Sequence, residues 1–310
     1  MTPSEGTATV VKNAGSHFLL SALPEWNPFP ALLRGKVRLK GSTTTNPVAV
    51  GDRVEFTTDG DKALITRILP RKNYVIRRST NLSREAHIIA ANVDMAYILV
   101  SLYFPEIKLP LLDRILVTCE VYGVPATVVL TKTDMYRGLD PEGIASVKKI
   151  YEDAGYPVIE TSVRSGLGVD RIREEARGKV CLFSGESGVG KSSLIKAMDP
   201  SLSPKTGEIS AAHLQGKHTT SLYEMYPLAS GGYVIDSPGI RGFGLVDLGK
   251  DEIAKYFPEM LRCSEGCRFT PCTHTHEPGC AIKTAVEEGL ISASRYGSYL
   301  GMLEEDRKFR

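Results

Sequence analysis

The ten residues from Gly185 to Leu194, GESGVGKSSL, set glycines at 185, 188 and 190 ahead of Lys191, Ser192 and Ser193. This G-x-x-x-x-G-K-S spacing suits a loop that wraps phosphate. Glycines let successive backbone N–H groups turn inward as an anion nest. Lys191 would bring a point charge to the β- and γ-phosphates, and the Ser192 hydroxyl is a Mg²⁺ ligand. Glu186, Ser187, Gly188 and Val189 complete the loop, and a helix starting at its end adds a positive pole. The plain alternative is a Gly-rich turn, against which the strand-like KVCLFS before it and the helical run after it both argue.

About fifty residues upstream the chain reads TKTD, Thr131-Lys132-Thr133-Asp134. A carboxylate at Asp134 would accept two hydrogen bonds from the N1–H and N2–H₂ of guanine, which adenine does not offer, and Lys132 would lay its stem along the base. The usual first residue of such a motif is Asn, and Thr131 lacks the amide. After the next strand, TSVRSG places Ser162 and Val163 where a backbone N–H would meet guanine O6. Downstream, YVIDSPG offers Asp236 to hold Mg²⁺ through water and the Gly239 N–H to sense a γ-phosphate. Between the two lies the polar stretch 205–221, with Thr219 or Thr220 as the second hydroxyl on Mg²⁺, Thr220 being the one assigned.

These motifs occur in an unusual order: base reader, base-side loop, phosphate loop, threonine loop, then D-x-P-G. A fold requires its loops in the right places in space rather than in one chain order, and ends that lie close together can be moved. The order therefore predicts a circularly permuted nucleotide-binding sheet. The water-orienting Gln that often follows D-x-x-G is Ile240 here, which leaves His218, just before the threonines, as the catalytic candidate. An ordinary surface histidine is the bland reading.

CRFTPCTHTHEPGC contains Cys267, Cys272, His274 and Cys280 within 14 residues. Three thiolates and an imidazole make a closed tetrahedral set, as in structural zinc sites, with no open position for catalysis. Cys263 and His276 are second-ranked ligands, while Cys119 and Cys181 sit in apolar runs and read as core.

The elements that must position these residues are legible in texture. Residues 7–69 break into short β-branched stretches such as TATVV, GKVRLK, VAVGDRVEF and ALITRIL, which predicts a small all-β barrel or sandwich. Alternation puts Lys36, Arg38 and Lys40 on one face, a row of cations suited to RNA, and Arg71, Lys72, Arg77 and Arg78 are expected to extend it. Residues 1–78 carry 12 Lys and Arg against 6 Asp and Glu in a chain whose net charge is only +2, so the basic excess is local. From about residue 92, strands at 93–102, 126–130, 156–162 and 179–184 alternate with helices at 111–123, 141–154 and 168–177, an α/β sheet covered on both faces. Helices over 247–262 and 281–309 would enclose the cysteines. At 310 residues two or three domains are expected, with boundaries at 1–76, 77–245 and 246–310. No apolar run approaches the length of a spanning helix and no signal peptide is evident, so a soluble cytosolic protein without membrane contact is expected.

With NPVAVGDRVEF, TKTD, GESGVGKSSL, GKHTT, DSPG and the cysteine cluster together, the chain resembles the ribosome small subunit-dependent GTPase A family over nearly its whole length. That resemblance implies an N-terminal oligonucleotide-binding barrel, a permuted GTPase domain using GTP, GDP and Mg²⁺, and a C-terminal module with one structural Zn²⁺. It further implies a role late in maturation of the small ribosomal subunit, with ribosomal RNA as partner and His218 in the catalytic position. A monomer is expected. Two other classes are weighed: a P-loop ATPase or kinase, which gains nothing from Asp134, and a pure RNA-binding module, which leaves Lys191, Ser192 and Asp236 unexplained.

Overall fold

A computed structural model describes residues 5–15, 17–34, 47–59, 62–78, 86–202, 223–236 and 248–308. Lys36, Arg38, Lys40, His218, Thr219, Thr220, Gly239 and Ile240 lie outside them. The first five strands are β1 (Glu5–Ala14), β2 (His17–Ser21), β3 (Phe29–Leu33), β4 (Arg53–Asp59) and β5 (Lys62–Ile68). They pair in the order β1-β2-β3-β5-β4, and β4 returns to β1, so the sheet closes into a five-stranded barrel. Val10, Phe18, Leu20, Val54, Phe56 and Ile65 fill it.

Strand β1 serves two sheets. Its register against β2 shifts between Val10 and Lys12, as at a bulge, so Val10 points into the barrel while the adjacent Val11 joins the core of the neighbouring sheet. Beyond that shift Lys12 and Asn13 pair with Glu224 and Tyr223. Closure also consumes one expected surface cation. Arg71 is turned inward, its guanidinium gripping the fully buried Asp52 carboxylate at 2.6 and 2.7 Å, and Lys72 is paired with Asp94. The basic surface is smaller than the composition suggests because Arg71 is spent on a buried acid and Lys72 is partly neutralised by a surface one. A hairpin of β6 (Tyr74–Arg78) and β7 (Ala86–Ala91) follows, and β6 runs across the expected 76/77 seam.

The central sheet contains β8 (Met95–Ser101), β9 (Ala126–Thr131), β10 (Val158–Glu160), β11 (Val180–Gly185), β12 (Tyr223–Pro227) and β13 (Tyr233–Asp236). Their order is β10-β9-β8-β11-β13-β12, parallel except for β12 against β13. The helices are α1 (Leu109–Val121), α2 (Thr133–Tyr136), α3 (Pro141–Ala154), α4 (Val169–Glu175) and α5 (Lys191–Met198). Strand β8 is apolar up to Ser101 because both its faces are covered: Ala96, Ile98 and Val100 share a core with α1 and α3, while Tyr97 and Leu99 share one with α4 and α5. From β8 the chain moves outward to β9 and β10, and from β11 it moves the other way. The strand order therefore reverses between β8 and β11, and the crevice at their carboxyl ends is where such sheets bind ligands.

The C-terminal region is α6 (Lys250–Ile253), a 3₁₀ turn (Ala254–Tyr256), α7 (Pro258–Ser264), α8 (Ala281–Glu287) and α9 (Ala293–Lys308). The two long helices expected there are each divided. Pro258 starts α7 at a first-turn position, where its missing N–H costs nothing, and Gly289 and Ser292 separate α8 from α9. Among the described residues no helix is long and apolar enough to cross a membrane.

Candidate functional site

Strand β11 delivers Gly185 to the crevice, and α5 begins at Lys191. A side chain at 185 would collide with the Leu99 carbonyl, 2.9 Å from the place of a Cβ, and Gly190 has φ 102°, a conformation only glycine adopts without strain. Ser187, Gly188 and Ser193 are exposed, Glu186 and Ser192 half-buried, and Val189 buried as the loop's anchor. Lys191 is 9% exposed and its ammonium is ion-paired with Asp236 at the end of β13. Phosphate loop and D-x-P-G aspartate are thus neighbours although 45 residues separate them. Ser192 and Asp236 both border Lys191, and their hard oxygens are the donor type that Mg²⁺ takes. Glu186 faces Lys108, at the start of α1, at 3.5 Å.

The T-K-T-D loop leaves β9 beside the phosphate loop. Thr131 Oγ1 lies 2.7 Å from the Val189 carbonyl and 3.1 Å from that of Val100, so its single proton serves the phosphate loop first. Lys132, at φ 58°, sends its ammonium to the Gly188 carbonyl at 2.7 Å and to the carbonyl of Phe104. Thr133 donates through both its N–H and its hydroxyl to the Thr161 carbonyl at 3.1 Å, which fastens the loop to the residue before Ser162. Ser162 is buried and its hydroxyl accepts the Ser165 N–H at 3.2 Å, while Val163 is 45% exposed. Asp134 is exposed at the mouth of this arrangement, and no described residue pairs with its carboxylate.

Two observations were not foreseeable from the motifs. The Thr131 hydroxyl donates to a backbone carbonyl 58 residues away. Phe104 enters through its carbonyl, a group every residue carries, so no sequence signal marks it.

In the C-terminal region the ligand atoms of Cys267, Cys272, His274 and Cys280 all lie within 4.8 Å of one another. Zinc–sulfur and zinc–nitrogen bonds of about 2.3 and 2.0–2.1 Å at tetrahedral angles require edges of about 3.8 Å between sulfurs and about 3.6 Å from sulfur to nitrogen. The observed edges are 4.0 Å from Cys267 to Cys280, and 3.6 and 3.5 Å from those sulfurs to His274 Nδ1. The donors fit zinc. Burial pushes the His274 imidazole below its ordinary pKa, toward the neutral form that ligates. Tyr296 and Tyr299 of α9 donate to the carbonyls of His274 and Thr273 at 2.6 and 2.7 Å and hold the ligand loop. Cys263 and His276 are outside the group among the described residues, and Cys119 and Cys181 are buried in the sheet cores.

A family model described as RsgA GTPase matches residues 68–246. The chain is 47% identical over 304 residues to the small ribosomal subunit biogenesis GTPase RsgA of Bacteroides fragilis, covering 97% of this chain and 98% of that one. It superposes on the crystal structure of YjeQ from Thermotoga maritima with a TM-score of 0.78 at 31% identity, covering 97% and 98% of the two chains. The crystal structure of YloQ, a circularly permuted GTPase, gives a TM-score of 0.72 at 25% identity over 99% and 96%.

Proposed function

Because the chain belongs to the RsgA GTPase family, we propose a function for each part of its site. The protein is a GTP hydrolase, and its role is in biogenesis of the small ribosomal subunit. The observation that carries the reading is the junction of base reader and phosphate loop: Thr131 and Lys132 hold the carbonyls of Val189 and Gly188. A phosphate loop alone would serve ATP or GTP. One fastened to a loop that presents Asp134 serves guanine.

In this reading Asp134 takes the guanine edge, Lys132 lies along the base, and Ser162 and Val163 border its O6 side. Residues 185–193 wrap the phosphates, and Gly239 meets the γ-phosphate. Mg²⁺, held by Ser192 and Thr220 with Asp236 behind it, would neutralise charge on the β- and γ-oxygens. The ammonium of Lys191 leaves Asp236 for phosphate when nucleotide enters. His218 orients the attacking water, which adds to the γ-phosphorus as the bond to the β-phosphate oxygen breaks, giving GDP and phosphate. Loss of the usual Gln makes the intrinsic rate slow and leaves room for stimulation by the subunit.

The barrel's Lys36, Arg38 and Lys40 follow the phosphates of ribosomal RNA, and one zinc ion braces the last module on Cys267, Cys272, His274 and Cys280. We take three units with the expected bounds 1–76, 77–245 and 246–310, except that β6 spans the first seam and goes whole with its partner β7 into the second unit, and a monomer acting late in subunit maturation in the cytoplasm. Displacement of labelled GDP tests the nucleotide assignment: GTP should compete and ATP should not. Equal competition would favour the ATPase alternative.

A further inference from the structure

The carbonyl of Phe104 is one of two fixed acceptors for the Lys132 ammonium, and it sits on a turn just beyond β8. The turn is closed by the Ile107 N–H on the Leu102 carbonyl at 3.3 Å, and three further bonds orient Phe104 within it. The Phe104 N–H is 3.3 Å from the Tyr136 hydroxyl, that hydroxyl is 3.1 Å from Ser101 Oγ, and Ser101 Oγ is 3.1 Å from the Phe104 carbonyl. The proton positions follow from the chemistry. An amide N–H only donates, so the Tyr136 oxygen accepts it. A carbonyl only accepts, so the Ser101 hydroxyl spends its proton there. The Tyr136 hydroxyl must then donate to Ser101. The ring closes in one direction, and each bond polarises the next. Tyr136 and Ser101 are 2% and 1% exposed, so water does not compete, and the Tyr103 ring packs edge-on against Tyr136 at 5.4 Å.

We propose that Tyr136 and Ser101 are positioning residues for guanine-nucleotide binding, acting through the Phe104 carbonyl on Lys132. The inference rests on the base-pocket reading given above, in which Lys132 and Asp134 face the base. Tyr136 lies two residues past Asp134 on α2, so the element that carries the base reader also builds the clamp that holds its lysine. Without the ring, the Phe104 carbonyl loses the Ser101 hydroxyl and the Phe104 N–H loses Tyr136, so the carbonyl is held less firmly toward Lys132, although the Ile107 N–H to Leu102 carbonyl bond still closes the turn. Phe104 itself is 66% exposed, so the clamp exists to place its backbone rather than to bury its side chain.

A double-mutant cycle tests this on the full-length, zinc-loaded protein with GDP and GTP binding as the readout. Tyr136→Phe removes one hydroxyl and should weaken both nucleotides about tenfold, the upper range for a neutral hydrogen-bond network. In a Lys132→Met background the same change should alter affinity by no more than about twofold, because its target is gone. Ser101→Ala should repeat the pattern from the opposite side of the ring, and it carries the test should Tyr136→Phe melt early. Equal losses in both backgrounds would mean a merely structural role and overturn the inference, as would wild-type affinity in both single variants. Asp134→Asn, assayed alongside, separates the two readings. If it fails to shift preference toward xanthosine diphosphate, the base pocket is wrong. If it shifts and the cycle is additive, only the clamp is wrong.

Discussion

At the scale of single residues, the guanine selection we propose rests on one carboxylate and one hydroxyl. Asp134 is exposed, and no described residue competes for it. Charge-assisted hydrogen bonds of this kind contribute about 1.5–3 kcal/mol. Asp134→Asn should therefore weaken GDP by roughly 10–100-fold while improving xanthosine diphosphate, as read by calorimetry. Thr131 stands where such a motif usually has Asn, and its hydroxyl holds Val189 directly, 2.7 Å from the carbonyl. Thr131→Val keeps the shape and loses that bond, so affinity should fall by about 2–10-fold, with Thr131→Ser restoring it. A valine variant that binds like the wild type would remove the tether from the account. Residue types marked Lys191, Ser192 and Asp134 from sequence alone, whereas partners that act through backbone, such as Phe104 and Val189, carry no mark. Arg71 shows the converse: a cation read as surface is folded onto Asp52, because charge counting does not register a buried acid 19 residues away.

At the scale of elements, α1 joins the nucleotide sheet to the zinc module. Arg295 of α9 is 1% exposed and binds Glu259 of α7 at 2.8 and 3.1 Å and Asp113 of α1 at 2.9 Å, with Tyr151 donating to the same Asp113 oxygen. Arg295→Ala would strand two buried carboxylates, and removing one partner of such a group costs about 3–5 kcal/mol. The C-terminal unit should unfold at lower denaturant in that variant, and an unchanged midpoint would mean that the network contributes little. Cys272→Ser removes one of the four donors proposed for zinc, and folding of a module this small would be tied to such a metal. Zinc content should drop and residues beyond about 250 should become protease-sensitive while GDP still binds; retention of zinc would return Cys263 or His276 to the ligand set. The strands and helices of the central sheet were legible because their apolar periods differ and follow one another. Three features were not. Strand β12, YEMYP, is too short and mixed to announce itself; β6 is masked by its arginines; and Pro258 divides a run whose hydrophobic pattern is otherwise helical.

At the scale of the whole molecule, the barrel is joined to the nucleotide sheet by main-chain pairing as well as by the polypeptide. Lys12 and Asn13 of β1 pair with β12, and the Lys12 ammonium meets Glu224 at 3.0 Å, directly opposite Asp236 in the ladder. Strand β1 of the barrel is therefore two strands away from Asp236, the partner of Lys191. Charge reversal at Lys36, Arg38 and Lys40 should weaken attachment to the subunit most at low salt, flatten its salt dependence relative to the wild type, and leave intrinsic GTP hydrolysis as it was. The central claim is that this chain hydrolyses GTP in answer to the small ribosomal subunit. Single-turnover hydrolysis of GTP, followed as purified small subunits are titrated in, tests it most directly. The rate should climb and saturate, by a factor on the order of 10²–10⁴ if a positioned proton-handling side chain is supplied on docking, and His218→Ala should lose most of that rise. A rate that stays flat at every subunit concentration, with GTP bound throughout, would contradict the account.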